Sequence, residues 1–155
     1  MAAGTWKIFG KAKKYIGNGT IKLGVDTFKM MLCRASASAA LLALSTRSTW
    51  ASIGGEISAR GGYVANGRNL LPATGTWSSV SAKAQKFAQS TVGLAFTASN
   101  SALNNIKYAF IRNSTGAGAG KILCGVTLST AAFTVTIGNI LTITPNAANG
   151  FFTLT

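Results

Sequence analysis

The chain has 155 residues, with fifteen Lys or Arg against Asp26 and Glu56 and no histidine, for a formal charge of +13. Charged side chains make up only 11% of it and hydrophobic ones 48%, against about 25% charged in an ordinary soluble domain, and thirty-two Ser and Thr supply most of the polarity. This excludes a disordered chain, which is low in hydrophobicity, and it excludes chemistry that needs an imidazole base, a His-paired nucleophile or a His metal ligand.

The first predicted element lies in WKIFGKAKKYI (6–16). Ile8, Phe9, Ala12, Tyr15 and Ile16 recur at helical spacing, with Lys7, Lys11 and Lys14 on the opposite side. Gly10 weakens this helix by about 1 kcal/mol relative to Ala, and Gly17-Asn18-Gly19 ends it. Three roles stay open for it: an amphipathic helix lying on its own domain, an arm docking on a partner, or a helix on an anionic membrane surface. No apolar stretch of the kind a secretory signal needs follows its lysines before Gly17. The run ASASAALLAL (35–44) is too short to cross a hydrocarbon layer of about 30 Å, and a short helix or strand is expected there. No membrane association is expected for the chain as a whole.

From residue 20 onward the periodicity turns to two, with turn residues at short intervals. The extended runs are TIKL (20–23), TFKMMLCR (27–34), the pieces either side of Asn66-Gly67, a stretch from Trp77 through AKAQKFAQ (82–89), VGLAFTA (92–98), IKYAFIR (106–112), KILCGVTLS (121–129), FTVTIGNILTIT (133–144) and FFTLT (151–155). Proline occurs only at 72 and 145, in linking positions, as sheets require. These runs predict an all-β fold: a single antiparallel β-sandwich over 19–155, preceded by a basic N-terminal arm or short helix over 1–18. In the last predicted hairpin, Phe133, Val135 and Ile137 share one face, as do Leu141 and Ile143. Keeping both faces buried demands a three-residue loop, Gly138-Asn139-Ile140, with a left-handed residue near Asn139.

Chemistry-bearing motifs are few. Asp26 and Glu56, thirty residues apart, are read as solvated loop residues rather than a glycosidase-like pair, and no Ser is followed by Lys at the S-x-x-K spacing. GAGAGK (116–121) lacks the glycine at 115 and the Ser or Thr at 122 of a phosphate loop, and a strand rather than a helix follows it. Asn18-Gly-Thr20 and Asn113-Ser-Thr115 match the glycosylation sequon, as chance allows in a hydroxyl-rich chain. Cys33 and Cys124 each sit in an apolar strand-like run and are expected as buried, reduced thiols, a usage that favours a reducing cytoplasm. No catalytic residue, cofactor or metal is expected.

Net charge is the strongest signal. Seven of the fifteen basic residues lie in 1–34, and 122–155 carry no charge at all. Positive charge favours an acidic partner, and Trp6, Phe9 and Tyr15 interleave with lysines as in single-strand binders. The later basic residues are spread too thinly for a nucleic-acid groove. The uncharged C-terminal third instead suits packing against identical copies.

The order of WKIFGKAKKYIGNGTIKLGVDTFKMMLCR, GGYVANGRNLL, IKYAFIRN, KILCGVTLS and GNILTITPNAANGFFTLT resembles a group of small tailed-phage virion proteins across nearly the whole chain. The resemblance implies a jelly-roll-like β-sandwich acting as a capsid decoration (cement) protein. Such a protein sits as an oligomer, dimer or trimer, on the exterior of the virion capsid after synthesis in the host cytoplasm, and bridges neighbouring major capsid proteins. It brings no catalytic residues. The partner-binding residues expected on these grounds are Trp6, Lys7, Phe9, Lys11, Lys13 and Lys14. A phage tail, neck or receptor-binding component and a basic nucleic-acid-binding module are the alternatives.

Overall fold

The computed structural model describes residues 4–37, 49–70, 77–81, 84–88, 93–146, 148 and 150–154. In chain order these form β1 (Lys7–Ile8), α1 (Gly10–Gly17), β2 (Phe28–Arg34), β3 (Arg68–Asn69), β4 (Trp77–Ser81), β5 (Ala84–Phe87), β6 (Leu94–Thr97), β7 (Leu103–Asn113), β8 (Ile122–Thr127), β9 (Phe133–Val135), β10 (Ile140–Ile143) and β11 (Phe152–Leu154). Every strand pair is antiparallel. The described chain is therefore mostly β, with one short α-helix. One sheet has the order β1-β8-β7-β2-β3, with β9 also pairing β7; a second joins β10 to β6, and a third runs β11-β5-β4.

The three central strands of the large sheet explain why their sequences read as nearly continuous apolar runs. Register places Met31 opposite Phe110 and Phe110 opposite Gly125, while Met30, Ile111 and Cys124 line up one residue along. Met31, Cys33, Tyr108 and Phe110 thus share one face, and Phe28, Met30, Leu32, Ala109 and Ile111 share the other. Both faces are buried, so alternation between apolar and polar residues disappears, as in any sheet covered on two sides. Phe9 and Trp50 cover the first face, with ring centroids 6.3 and 6.5 Å from Phe110. On the second face Phe28 meets Phe87 of β5 edge-to-face at 5.0 Å. Phe87 in turn stacks on Phe152 of β11 at 5.3 Å, which ties the third sheet to the core. Each such side chain stabilises the fold by about 1.5–3 kcal/mol when fully buried.

Local differences from the sequence reading have physical causes. TIKL forms a turn, not a strand. The N–H groups of Val25 and Asp26 bond back to the Lys22 carbonyl, and the Asp26 carboxylate takes the Lys22 N–H at 2.9 Å, which curls the segment while Ile21 and Leu23 stay buried. The last predicted hairpin does not form: β9 pairs with β7 and β10 with β6. Between them the Asn139 N–H bonds to Thr136 O, and the turn is fastened to Ala98 through Gly138 N and Asn139 O. Gly138, at φ 86°, is the left-handed residue expected near Asn139. Ile137 is 60% exposed, so the buried face that set the predicted register ends at Val135. Asn66 and Gly67 do adopt left-handed conformations (φ 70° and 81°), with Gly67 pressed against the Met30 backbone so closely that no Cβ fits. The expected short element at 35–44 lies outside the described residues from 38 on.

Candidate interaction surface

The N-terminal element is bound to the body of the protein. β1 pairs with β8 through Lys7–Gly125 and Ile8–Cys124, and the Phe9 N–H continues this contact to Leu123 O. The chain then turns into α1 with no side-chain cap and no acid in its first turn. Lys11 and Lys13, close to the positive end of the helix dipole, disfavour the helix slightly, whereas Lys14 in the last turn is favourable. Packing compensates: Ala12 is fully buried and Tyr15 and Ile16 lie against the core. The helix stops where expected, with Asn18 N–H on Lys14 O and left-handed Gly19 (φ 74°) N–H on Ile16 O.

The six residues expected to bind a partner separate into two groups. Phe9 is 3% exposed and belongs to the core, so the fold itself has taken its ring. Trp6 is half-buried, edge-to-face on Phe151 at 4.8 Å, and keeps part of its indole on a cleft of about 640 Å³ shared with Thr144 and Asn146. Lys7, Lys11, Lys13 and Lys14 are all exposed. Lys121, the lysine of GAGAGK, adds a cation to the same neighbourhood, its Nζ lying 5.2 Å from the Tyr15 ring centroid. That loop is a 3₁₀ turn at Gly116–Gly118 followed by strand β8.

Asp26 is committed inside the molecule, contrary to its reading as a solvated loop residue, while Glu56 is half-buried and hydrogen-bonded to neighbouring loop residues. Asp26 is buried and accepts from the Lys22 N–H and from Asn113 Nδ2. Asn113 Oδ1 accepts the Thr115 N–H at 2.9 Å, so this buried pair joins the turn before β2 to the β7–β8 loop. A fully buried Asn113 is also closed to glycosylation. Glu56 Oε1 accepts from Tyr63 Oη at 2.6 Å and from the Asn66 N–H at 2.8 Å, while Tyr63 Oη accepts the Leu32 N–H at 3.2 Å. The phenol thereby occupies a gap along the edge of β2. Burial, reinforced by Glu56, pushes the Tyr63 phenol well above its ordinary range. Burial does the same to the Cys124 thiol, and burial with the Glu56 charge to that of Cys33.

Sequence reasoning missed Asp26, Asn113, Tyr63 and Lys121, because each acts through a partner dozens of residues away. Cys33 and Cys124 are free and buried, as expected. Among the described residues there is no group of three or more His, Cys, Asp or Glu that could hold a metal, and no helix is long and apolar enough to cross a membrane. No family model, curated protein or solved structure matches the chain.

Proposed function

We propose that this is a non-catalytic structural protein of a tailed-phage particle, a decoration protein that seats on the outside of the head and bridges neighbouring major capsid proteins. The observation that carries this reading is the division of labour around α1. Its apolar residues are spent on the core, its three lysines and Lys7 of β1 face solvent, and both acidic side chains are hydrogen-bonded within the chain. A folded cationic face of this kind fits an acidic protein lattice, and many weak contacts repeated by symmetry give high avidity. It needs no cofactor, metal or membrane.

For the fold we propose a sandwich of the large sheet against β11-β5-β4, supported by the Phe28–Phe87–Phe152 contacts. It is jelly-roll-like in that the chain crosses repeatedly between sheets, and it departs from a strict jelly roll where β7 and β8 are consecutive neighbours. The protein acts as a dimer or trimer, an expectation supported by exposed Ile137 and Ile140 in a segment free of charge.

The test is uptake of the purified protein by empty expanded heads and by naked DNA at about 50 and about 200 mM salt. The proposal requires saturable uptake by heads in a fixed ratio to the capsid lattice, retained at the higher salt. Binding to DNA alone, falling by about 10³-fold or more across that range, would mean a nucleic-acid-binding module. Uptake in a ring-like copy number at one vertex would mean a neck or tail component.

A further inference from the structure

The small sheet of β10 and β6 has two edges, and the protein treats them differently. Register pairs Ile140 with Thr97, Leu141 with Phe96, Thr142 with Ala95 and Ile143 with Leu94. One step further along the same register, the Ala98 N–H bonds to Asn139 O at 2.9 Å. In an antiparallel ladder, pairs that exchange such bonds alternate with pairs whose N–H and C=O groups turn away from each other. Leu141 and Ile143 therefore bond to β6, while Ile140 and Thr142 turn their backbone groups to the outer edge of β10. On β6 the outward groups belong to Ala95 and Thr97.

The β6 edge is closed. Ala95 O accepts from Arg68 Nη1, the Ser99 N–H donates to Gly61 O at 3.1 Å, and Gly62 lies so near Thr97 O that no Cβ fits. The β10 edge is open: among the described residues no strand pairs with it, and no hydrogen bond reaches the outward backbone of Ile140 or Thr142. Ile140 is 59% exposed, and Thr142 is exposed beside it. Natural sheets blunt such edges with lysine, proline or a bulge, yet Ile140–Ile143 holds no charge and no proline, and neither 93–106 nor 122–155 carries a charged side chain. An edge of alternating donors and acceptors is complementary to an antiparallel copy of itself. On a chain of charge +13 a second copy meets the least repulsion here, whereas an acidic partner finds nothing here to attract it.

We propose that β10 is a self-pairing edge: two copies of the chain join β10 to β10, antiparallel, about a twofold axis beside Leu141. The result is one sheet running β6-β10-β10-β6 across both copies. Ile140 of one copy stands opposite Thr142 of the other, exchanging both N–H···O bonds, and the symmetry repeats the exchange. Pro145 follows the strand at once, and a contact of this kind closes at two, so the product is a dimer rather than a trimer or a fibre. The inference rests on the self-association proposed above and not on the capsid role.

The experiment is sedimentation equilibrium of the full chain beside point variants. The wild type is expected to show a monomer–dimer equilibrium that tightens as salt rises from about 0.01 to about 0.15 M, because the repulsion between copies is then screened within about 8 Å instead of about 30 Å. Thr142→Pro removes an N–H that faces away from β6, a change an edge strand tolerates. It should keep the fold and weaken the dimer by about tenfold or more, one bond being lost at each symmetric position. A contact made by apolar side chains alone would survive it. Leu141→Cys reads the register: opposed residues that exchange no hydrogen bond have Cα atoms about 4.5 Å apart, within reach of a disulfide. Mild oxidation should therefore link the two copies through Cys at 141 and far less through Ile140→Cys, while the native thiols stay buried. If Thr142→Pro does not fold, the two cysteine variants carry the test. A trimer, or a dimer indifferent to Thr142→Pro and to the cysteine position, overturns the edge pairing and leaves self-association standing. A wild type that stays monomeric at its highest soluble concentration overturns both. A monomer whose uptake by heads is lost in Thr142→Pro overturns the pairing in favour of a strand from another protein.

Discussion

Residues 1–34 and 122–155 are equal in length, the first strongly basic and the second without a charged side chain, and the structure gives two separate reasons for the difference. In the first segment the positive charge rides on the outside of an element whose other side is core: Phe9 and Ala12 go in, and Lys11, Lys13 and Lys14 stay out. In the second segment β8 carries no charge because both of its faces are buried, Ile122 through Val126 all lacking exposure. β10 carries none although Ile140 and Thr142 face solvent. An uncharged buried strand follows from desolvation, since a lone buried charge is very costly. An uncharged exposed strand has no such cause, and on a molecule of net charge +13 it is where a second copy meets the least repulsion.

The comparison is broken most severely from inside. Phe110→Ala removes the ring on which Phe9, Trp50 and Tyr108 converge. It should cost about 3–5 kcal/mol, read as a lower urea midpoint, with α1 loosened along with the sheet. A cost under about 1 kcal/mol would mean that the basic element is not anchored by this contact.

Asp26→Ala comes next. It strands the fully buried Asn113 amide and frees the Lys22 N–H, for an expected loss of about 1–3 kcal/mol, measured in the same way. Asp26→Asn should recover part of it, because an amide oxygen still accepts one bond.

Alkali should expose the buried acids of the core. The Tyr63, Cys33 and Cys124 protons are all held more tightly in the folded chain than in the unfolded one. The unfolded chain releases them near the ordinary values of about 8.5 for Cys and about 10 for Tyr. Their contribution to stability is therefore complete below about pH 8.5 and is lost progressively as pH rises beyond it. Equilibrium unfolding between pH 7 and 11 checks the sign, and both thiols should react with a thiol reagent only at the rate of unfolding.

The smallest effect on stability is expected at the exposed end. Ile140→Lys should change stability by no more than about 0.5 kcal/mol, yet lower the oligomeric mass seen in sedimentation if the uncharged surface is where copies meet.

Much of the interior was legible in the sequence. FKMMLCR, IKYAFIR and KILCGVTLS announce β2, β7 and β8 because strands buried on both faces leave an unmistakable apolar run, and Ala12, Tyr15 and Ile16 announce α1 through their spacing, whereas Ile8, read on the same helix, pairs with Cys124 as part of β1. What could not be read was decided by distant partners. TIKL turns because Asp26 is held by Asn113, 87 residues away. FTVTIGNILTIT splits between two sheets because Ala98 holds its turn, and local alternation favours a hairpin that the tertiary pairing overrides. Of the candidate surface, the lysines were legible from charge clustering. The fate of Phe9 was not, since one aromatic residue beside lysines reads the same whether it faces a partner or its own sheet.

The most direct test of the account is head binding by a Lys11→Glu/Lys14→Glu variant, measured as occupancy on empty expanded phage heads beside the wild type, with unfolding recorded in parallel. Both side chains point to solvent, so the fold should be retained with a stability change of about 0.5 kcal/mol or less, while occupancy drops sharply. Wild-type occupancy by a folded variant would contradict the claim that the basic face of α1 is the contact.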